Sequence, residues 1–349
     1  MSQPTAIIIG VTGQDGGYLA KSLLEKGYRV IGAIRRSSIL TLPRLVELGV
    51  VNDVELETLD IQELPNICRL IETTGATEIY NLGGQSSVQA SFQQPIYTVE
   101  TAGLGTLRLL EAIKLVGKGV RLYQASSSEI FGRNDAAVVS DLVDENTLMR
   151  PRSPYGAAKL FGHWVVVNYR EAHDIFAVSG ILFNHESPLR GLEFVTRKIT
   201  ATLAQQAAGN QQVLRLGNLD ARRDWSYAGD FVEAMWKMLQ VDEADDYVIA
   251  SGETHSVRDW VEIAAQHLGF DIAWEGEGVD EVGFDQKTGR QLVNIDKAFF
   301  RPSEPEPMLG DPSKAREKLN WKPAVNFARL VEMMAKADYD RAKAGGEWF

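Results

Sequence analysis

A single cysteine, Cys68, occurs in the whole chain, so no intramolecular disulfide can form, a usage that suits a reducing compartment. Long apolar runs are missing too. No stretch approaches the roughly 18 consecutive apolar residues that a spanning helix needs. The first residues lack a basic segment ahead of an apolar one, and the early apolar run at 6–9 stops at Gly10. A soluble, cytoplasmic protein is expected, with no leader and no membrane partner. Positive charge is also scarce: 36 Lys and Arg face 47 Asp and Glu, giving a formal net charge of -11. Nucleic acid is therefore not an expected partner, since its phosphates call for a basic face. An anionic ligand would need a local basic pocket. Repeats and low-complexity tracts are absent. What the 349 residues do have is 44% apolar side chains, enough for a substantial core.

Along the chain, residues 6–9 read as a strand, and the apolar spacing over 18–24 suits a helix that ends near Gly27. Further strand-like runs lie at 28–34, 54–59, 78–82, 121–125 and 176–182, with amphipathic stretches at 105–115 and 156–171 among them. Such alternation implies an α/β fold: a doubly wound parallel sheet of Rossmann type, covered on both faces. Beyond Phe183 the pattern loosens. Helices over 194–208, 229–239 and 257–268 and a short strand at 213–216 suggest a smaller α/β lobe. Residues 275–296 are glycine-rich and acidic with little periodicity, and read as an ordered loop.

The first strand leads into Gly10, Val11, Thr12, Gly13, Gln14, Asp15 and Gly16, with glycines at i, i+3 and i+6 ahead of a helix. Glycines permit the tight turn and the close approach of a pyrophosphate, and the helix N-terminus offers unpaired N–H groups to an anion. A bare glycine pattern is weak, but this one has the strand-turn-helix setting its mechanism demands. In an NAD site, an acid about twenty residues on would accept the ribose hydroxyl bonds. Arg35 and Arg36 stand at the end of the second strand instead. Planar guanidinium groups suit a 2′-phosphate, so NADP is the expected cofactor. Asp60, after the third strand, is an expected adenine-edge contact. No metal is expected.

Tyr155 and Lys159 lie four residues apart on an expected helix and so share a face. A free tyrosine, with a pKa of about 10, is a poor base at neutral pH, but a nearby ammonium stabilises the phenolate. Tyr155 could then remove a hydroxyl proton as hydride leaves the same carbon. The strand at 121–125 runs into Ser126, Ser127, Ser128 and Glu129, beyond a strand end where open α/β sheets bind ligands. Ser127 could donate a hydrogen bond to a reacting oxygen and Glu129 could transfer a proton. A serine-rich turn capped by Glu129 would be the plain alternative if Tyr155 and Lys159 were not present.

With these motifs in order, the chain resembles the extended short-chain dehydrogenase/reductases and, within them, the GDP-mannose 4,6-dehydratase family. Further marks of the resemblance are Arg35-Arg36-Ser37-Ser38, Tyr80-Asn81-Leu82, Asn184-His185-Glu186-Ser187-Pro188, Leu216-Gly217-Asn218-Leu219-Asp220 and Arg301-Pro302. The resemblance implies that Ser127 takes the place of a catalytic threonine, with Glu129 and Tyr155 as the catalytic acid-base groups and Lys159 in support. It implies that Ile61, Leu82 and Gly83 join the glycine turn, Arg35, Arg36 and Asp60 around NADP. It also implies that Ser86, Ser127, Asn184, Glu186, Lys198, Arg223, Arg301 and Glu304 contact a GDP-sugar. On this reading residues 1–183 with 224–252 form the NADP-binding domain, and 184–223 with 253–349 form mainly the sugar-nucleotide lobe.

The implied reaction oxidises C4 of GDP-mannose, eliminates water across C5–C6 with Glu129 as the C5 base, and returns hydride to C6. Dehydration of a related GDP-manno-heptose, or a nucleotide-sugar epimerase or reductase, is the alternative; the last two need no base at C5. A homo-oligomer, dimer or tetramer, is implied, paired through helices at 105–115 and 156–171. Three departures from the family pattern stand out: Ser127 for threonine, Ser87 where a histidine is usual, and apolar Ile39 to Pro43 in place of a polar loop.

Overall fold

The computed structural model describes residues 3–132, 142–299, 308–346 and 348. Two compact units result, one of Met1–Phe183, Ala228–Ala250 and Gly310–Lys322, the other of Asn184–Tyr227, Ser251–Leu309 and Pro323–Phe349. Among the described residues no helix is long and apolar enough to cross a membrane.

The first unit is built on a seven-stranded sheet in the order Asp246–Ile249, Ala177–Leu182, Arg121–Ala125, Glu78–Asn81, Thr5–Ile9, Arg29–Ile34, Glu55–Thr58. Every pairing in it is parallel. Strands buried on both faces read as unbroken apolar runs, which is why Thr5–Ile9 is buried throughout. Its side chains still alternate between two cores. Ala6 and Ile8 pack with Leu19 and Leu23 of the helix Gln14–Glu25 and with Phe231 and Met235 of Ala228–Met238. Ile7 and Ile9 face Ile67 and Leu70 of Leu64–Thr74, Leu109 and Ile113 of Gly105–Val116, and Val166 of Pro154–His173. Each Ile, Leu, Val, Phe or Met side chain among them contributes roughly 1.5–3 kcal/mol on burial. The chain winds outward from Thr5–Ile9 to Glu55–Thr58, then crosses back to place Glu78–Asn81 on the other side of the first strand. That reversal marks a switch point, and beyond the strand ends at such a point open α/β sheets usually bind their ligands.

The expected division of the chain needs correcting at its C-terminal part. Gly310–Lys322 returns to the first unit and does not stay with 253–349. The reason is the short helix Ser313–Leu319 and Trp321: Ala315, Leu319 and Trp321 are buried in the first core, and Trp321 Nε1 donates to the Asp230 carbonyl at 2.9 Å.

In the second unit the helices Val195–Ala207, Val257–His267 and Phe327–Ala344 pack around Trp225, Trp260 and Phe327. A fully buried pair, Arg197 and Asp338 at 2.9 Å, joins the first and last of these, with Thr200 and Arg341 also donating to Asp338. The expectation of a loop over 275–296 is overturned. Ile272–Glu275, Val282–Asp285 and Gln291–Ile295 form an antiparallel meander that continues in parallel pairing to Leu214–Leu216. Glycine and acid hid the alternation. A Cβ at Gly283 would stand 2.9 Å from the Trp274 ring, so glycine there makes room for an aromatic neighbour. Asp285 is buried as a turn residue, accepting from the Asp271 amide at 2.9 Å and Thr288 Oγ1 at 2.7 Å.

Candidate active site

The glycine turn sits at the sheet's switch point, and each glycine has a steric reason. Gly10 has φ of 87°, and a Cβ on it would lie 2.7 Å from the Leu82 carbonyl oxygen at the end of the neighbouring strand. At Gly16 a Cβ would lie 2.3 Å from the Gly10 carbonyl oxygen, so the helix can press onto its own turn only without a side chain. Gly13 donates its N–H to the Gly10 carbonyl at 3.0 Å and takes the helix N-cap position with no side-chain cap. The helix Gln14–Glu25 therefore starts at this turn, and a helix N-terminus beside a glycine turn suits a phosphate. Thr12 is exposed on the turn, whereas Gln14 is buried and donates to the Asp15 carboxylate at 3.0 Å.

Around this turn the other expected cofactor residues fall as follows. Arg35 and Arg36 are exposed just past Arg29–Ile34, and Arg35 Nη1 donates to Tyr97 Oη at 2.8 Å. Tyr97 was not legible from sequence, because it comes from a helix some sixty positions later. The Asp60 carboxylate accepts from the Gln62 amide at 3.0 Å, which shapes the turn before Leu64–Thr74. Ile61 is buried over Gly105, where a Cβ would stand 3.1 Å from its side chain. Leu82 continues the pairing of its strand by donating to the Ile9 carbonyl at 3.0 Å, and the Gly83 amide donates to Asn81 Oδ1 at 3.3 Å. Ser86 is exposed. Ser87, where the family pattern has histidine, caps the helix Val88–Gln93 by accepting from the Ala90 amide at 3.2 Å.

The Tyr155 helix begins at Pro154, two residues ahead of the expected start, because Ser153 caps it through the Gly156 amide at 3.0 Å and proline suits the first helical position. Tyr155 and Lys159 are both buried on it. Lys159 Nζ donates to the Ala125 carbonyl at 2.8 Å and lies 5.7 Å from the centre of the Tyr155 ring. Burial pushes the Lys159 pKa down to about 8, with the Asp15 carboxylate working against the shift. The strand Arg121–Ala125 ends there. Ser127 follows as the cap of the 3-10 turn Ser128–Ile130, its Oγ accepting from the Glu129 amide at 3.3 Å. One glycine joins the two segments: a Cβ at Gly156 would stand 2.6 Å from the Glu129 carbonyl oxygen. Ser127, Glu129, Tyr155 and Lys159 therefore belong to one packed corner of the first unit.

In the second unit Lys198 lies on the helix Val195–Ala207 with its ammonium 3.7 Å from the centre of the Phe299 ring. Partial burial lowers its pKa, and the neighbouring Arg215 adds to that while Asp296 opposes it. Arg215 pairs with Asp296, and a Cβ at Gly217 would come within 2.5 Å of the Phe299 carbonyl oxygen. Arg215 was missed by sequence reasoning; its only signal was a charged residue at the outward position of Leu214–Leu216. Arg223, in the two-residue strand Arg222–Arg223 paired with His255–Ser256, donates to the Arg222 carbonyl at 2.6 Å. Asn184 opens the strand Asn184–Glu186, which pairs with Trp225–Tyr227. Glu186 is buried, and its carboxylate is committed to Thr196 Oγ1 at 2.6 Å and Arg190 at 3.1 Å. Arg301 and Glu304 lie outside the described residues.

A parallel doubly wound sheet, a glycine turn at its switch point and a Tyr-x-x-x-Lys helix beside a serine turn define the class of extended short-chain dehydrogenase/reductases. Solved structures agree in fold. Superposition on UDP-glucose 4-epimerase of Thermus thermophilus, in complex with NAD, gives a TM-score of 0.77 at 22% identity, covering 96% of this chain and 98% of that one. RMD of Pseudomonas aeruginosa, complexed with NADPH, gives 0.75 at 21% identity, with coverage of 97% and 100%.

Sequence comparison narrows the class. The family model for GDP-mannose 4,6 dehydratase matches residues 7–334. A human protein of that name is 49% identical over 344 residues, 96% of this chain and 91% of the relative. The Vibrio cholerae serotype O1 protein is 44% identical over 362 residues, 99% and 96% of the two chains. The chain belongs to the GDP-mannose 4,6-dehydratase family.

Proposed function

We propose that this protein is an NADP-dependent hydro-lyase that converts GDP-mannose to GDP-4-keto-6-deoxymannose. The observation that carries the reading is the corner in which Gly156 lets the Glu129 turn meet the helix of Tyr155 and Lys159. Tyr155 takes the proton of the C4 hydroxyl, and the Lys159 ammonium favours the phenolate that Tyr155 needs for this. Ser127 donates to the same oxygen. A ketone at C4 acidifies the C5 proton, which Glu129 removes and passes to the departing C6 hydroxyl, so that water leaves. As C6 is reduced, Glu129 delivers to C5 a proton taken up from solvent, and Tyr155 releases the proton it took from the C4 hydroxyl.

The glycine turn, with no room for side chains at Gly10 and Gly16 and with a helix starting directly after Gly13, fits a dinucleotide pyrophosphate. When bound, the nicotinamide supplies the hydride acceptor at C4 and the donor at C6, so no outside reductant is consumed. Arg35 and Arg36 favour a 2′-phosphate over a bare ribose. For the sugar nucleotide, Lys198, Arg215 and Arg223 supply cations in a protein whose net charge is -11. Guanosine specificity rests on family membership. The reaction is assigned to the cytoplasm.

A homodimer completes the reading. Its support is an exposed apolar face of the first unit: Phe92 is 62% exposed, Ile96 76%, Phe161 41% and Trp164 51%. They lie on Val88–Gln93, Pro95–Thr98 and Pro154–His173. Apolar clusters of this kind on a surface mark protein contacts.

Incubation with GDP-mannose and catalytic NADP, without added reductant, tests the activity. A 4-keto-6-deoxy product should accumulate well beyond the cofactor present. No turnover of GDP-mannose, with faster turnover of UDP- or dTDP-hexoses, would overturn the substrate reading. Titrating NADP and NAD tests the cofactor. Arg35→Ala should weaken NADP by roughly 10–100-fold, the loss expected for a charge-assisted hydrogen bond, and leave NAD unchanged.

A further inference from the structure

The carbonyl that holds Lys159 is itself held. Gln124, one residue before it on Arg121–Ala125, is 2% exposed, so its amide must find partners inside the protein. Gln124 Nε2 donates to the Ala125 carbonyl at 3.0 Å, the same oxygen that accepts from Lys159 Nζ at 2.8 Å. On its other side Gln124 Oε1 accepts from Asn81 Nδ2 at 2.7 Å, its register partner on the adjacent strand. Thr106 Oγ1 lies 3.2 Å from the same oxygen. Asn81 Oδ1 in turn accepts from the Gly83 amide at 3.3 Å, in the turn that closes over the switch point. A continuous chain of bonds thus runs from the Gly83 amide through Asn81 and Gln124 to the carbonyl beneath the ammonium.

We propose that Gln124 is a positioning residue, fixing the Ala125 carbonyl so that the Lys159 ammonium is held at one place beside Tyr155. The inference rests on the proposed role of Lys159 in supporting Tyr155. The Ser126 N–H of the same peptide unit donates to the Gly180 carbonyl at 2.8 Å, so that unit is hinged on the adjacent strand, and the bond from Gln124 stops the tilt about that hinge by which the carbonyl would follow the ammonium. Because Gln124 is anchored on Asn81 and Thr106, it also ties that place to the turn bearing Gly83. Gln124 itself touches no reacting atom.

Two variants separate positioning from space-filling. Gln124→Met keeps the length and loses every hydrogen bond. Gln124→Glu keeps the acceptor for Asn81 and regains a donor to Ala125 only when its carboxyl is protonated. In single turnovers with GDP-mannose over a pH series, Gln124→Met should reduce bound cofactor roughly tenfold more slowly than wild type at every pH, as for one lost hydrogen bond. The Michaelis constant for the sugar nucleotide should hardly change. Gln124→Glu should match Gln124→Met at alkaline pH and recover toward the wild-type rate at acid pH. In the cofactor-free protein, the Lys159 Cε resonance should titrate at least about one unit higher in Gln124→Glu, because a carboxylate beside it favours the ammonium.

A wild-type rate in Gln124→Met would overturn the inference. So would equal losses in both variants at all pH values, or an unmoved Lys159 titration in Gln124→Glu. If Gln124→Met fails to fold, the acid recovery and the titration of Gln124→Glu decide alone. Lys159→Met separates the two levels: a wild-type rate there would remove the role of Lys159 itself, and a large loss there beside an unaffected Gln124→Met would remove only the role of Gln124.

Discussion

Burial lowers the pKa of Lys159 to about 8, so between that value and the ordinary lysine value of about 10.4 the unfolded chain holds more protons than the folded one. Stability contributed by this group must therefore rise with pH across that window and stay flat below it, where the cost of burying the ammonium is constant. Measured by denaturant titration of cofactor-free protein, the stability of wild type relative to Lys159→Met should grow by up to roughly 3 kcal/mol from pH 8 to above 10. A difference that does not change with pH would show that Lys159 is not buried as an ammonium. Asp15 opposes the shift, so Asp15→Asn should extend the window to lower pH while its upper edge stays at the unfolded value. In the proposed chemistry, Glu129 and Tyr155 divide the reaction. Tyr155→Phe should stop oxidation at C4, so no reduced cofactor forms. Glu129→Gln should keep that step and slow elimination by roughly 10²–10⁴-fold, the usual share of a general base. Stopped-flow absorbance and deuterium uptake at C5 in heavy water read the two steps separately. Normal uptake with near-native product formation in Glu129→Gln would assign the base elsewhere.

Between elements, the site depends on close approaches that a one-dimensional pattern does not display. Gly156 is the clearest case. A Cβ there would meet the Glu129 carbonyl oxygen at 2.6 Å, and that oxygen belongs to backbone, which cannot step aside without moving the turn of Ser127 and Glu129. Gly156→Ala gains up to about 1 kcal/mol of helix propensity but should lose more than that to the clash, typically 1–3 kcal/mol. Turnover should drop with the melting temperature; an alanine variant that is more stable and fully active would contradict the packing described. The motifs themselves were legible because each is local. The glycine turn, Tyr155 with Lys159, and Ser127 with Glu129 all lie within single strand-turn or helix segments, where spacing alone reports proximity. What escaped was tertiary: the link from Lys159 to the Ala125 carbonyl, the Arg35 contact with Tyr97, and the pairing of Arg215 with Asp296. The meander at 272–295 escaped for a different reason, since Gly283 and Asp285 replace the apolar residues that would have marked an inward-facing register.

For the whole molecule, sequence alternation sufficed for the doubly wound sheet because inner strands such as Thr5–Ile9 and Ala177–Leu182 are buried along their whole length. The return of Gly310–Lys322 to the first unit did not announce itself, as three buried side chains in a short helix and its exit make a weak pattern. The exposed Phe161 and Trp164 lie on the helix that carries Tyr155 and Lys159, so pairing of two copies there would also brace that helix. Light scattering should give twice the 38.6 kDa of one chain, and Phe161→Glu with Trp164→Glu should return the monomer mass with partial loss of activity. A monomeric wild type at micromolar concentration would contradict this. The central claim, that one hexose is oxidised at C4, dehydrated and reduced again at C6 within a single site, has a direct test. GDP-mannose carrying deuterium at C4 is supplied with unlabelled NADP and no reductant, and the product is examined by NMR. The account predicts a 4-keto-6-deoxy sugar with the label at C6; a product that keeps its C6 hydroxyl, or one whose label has been lost to the cofactor pool, would contradict it.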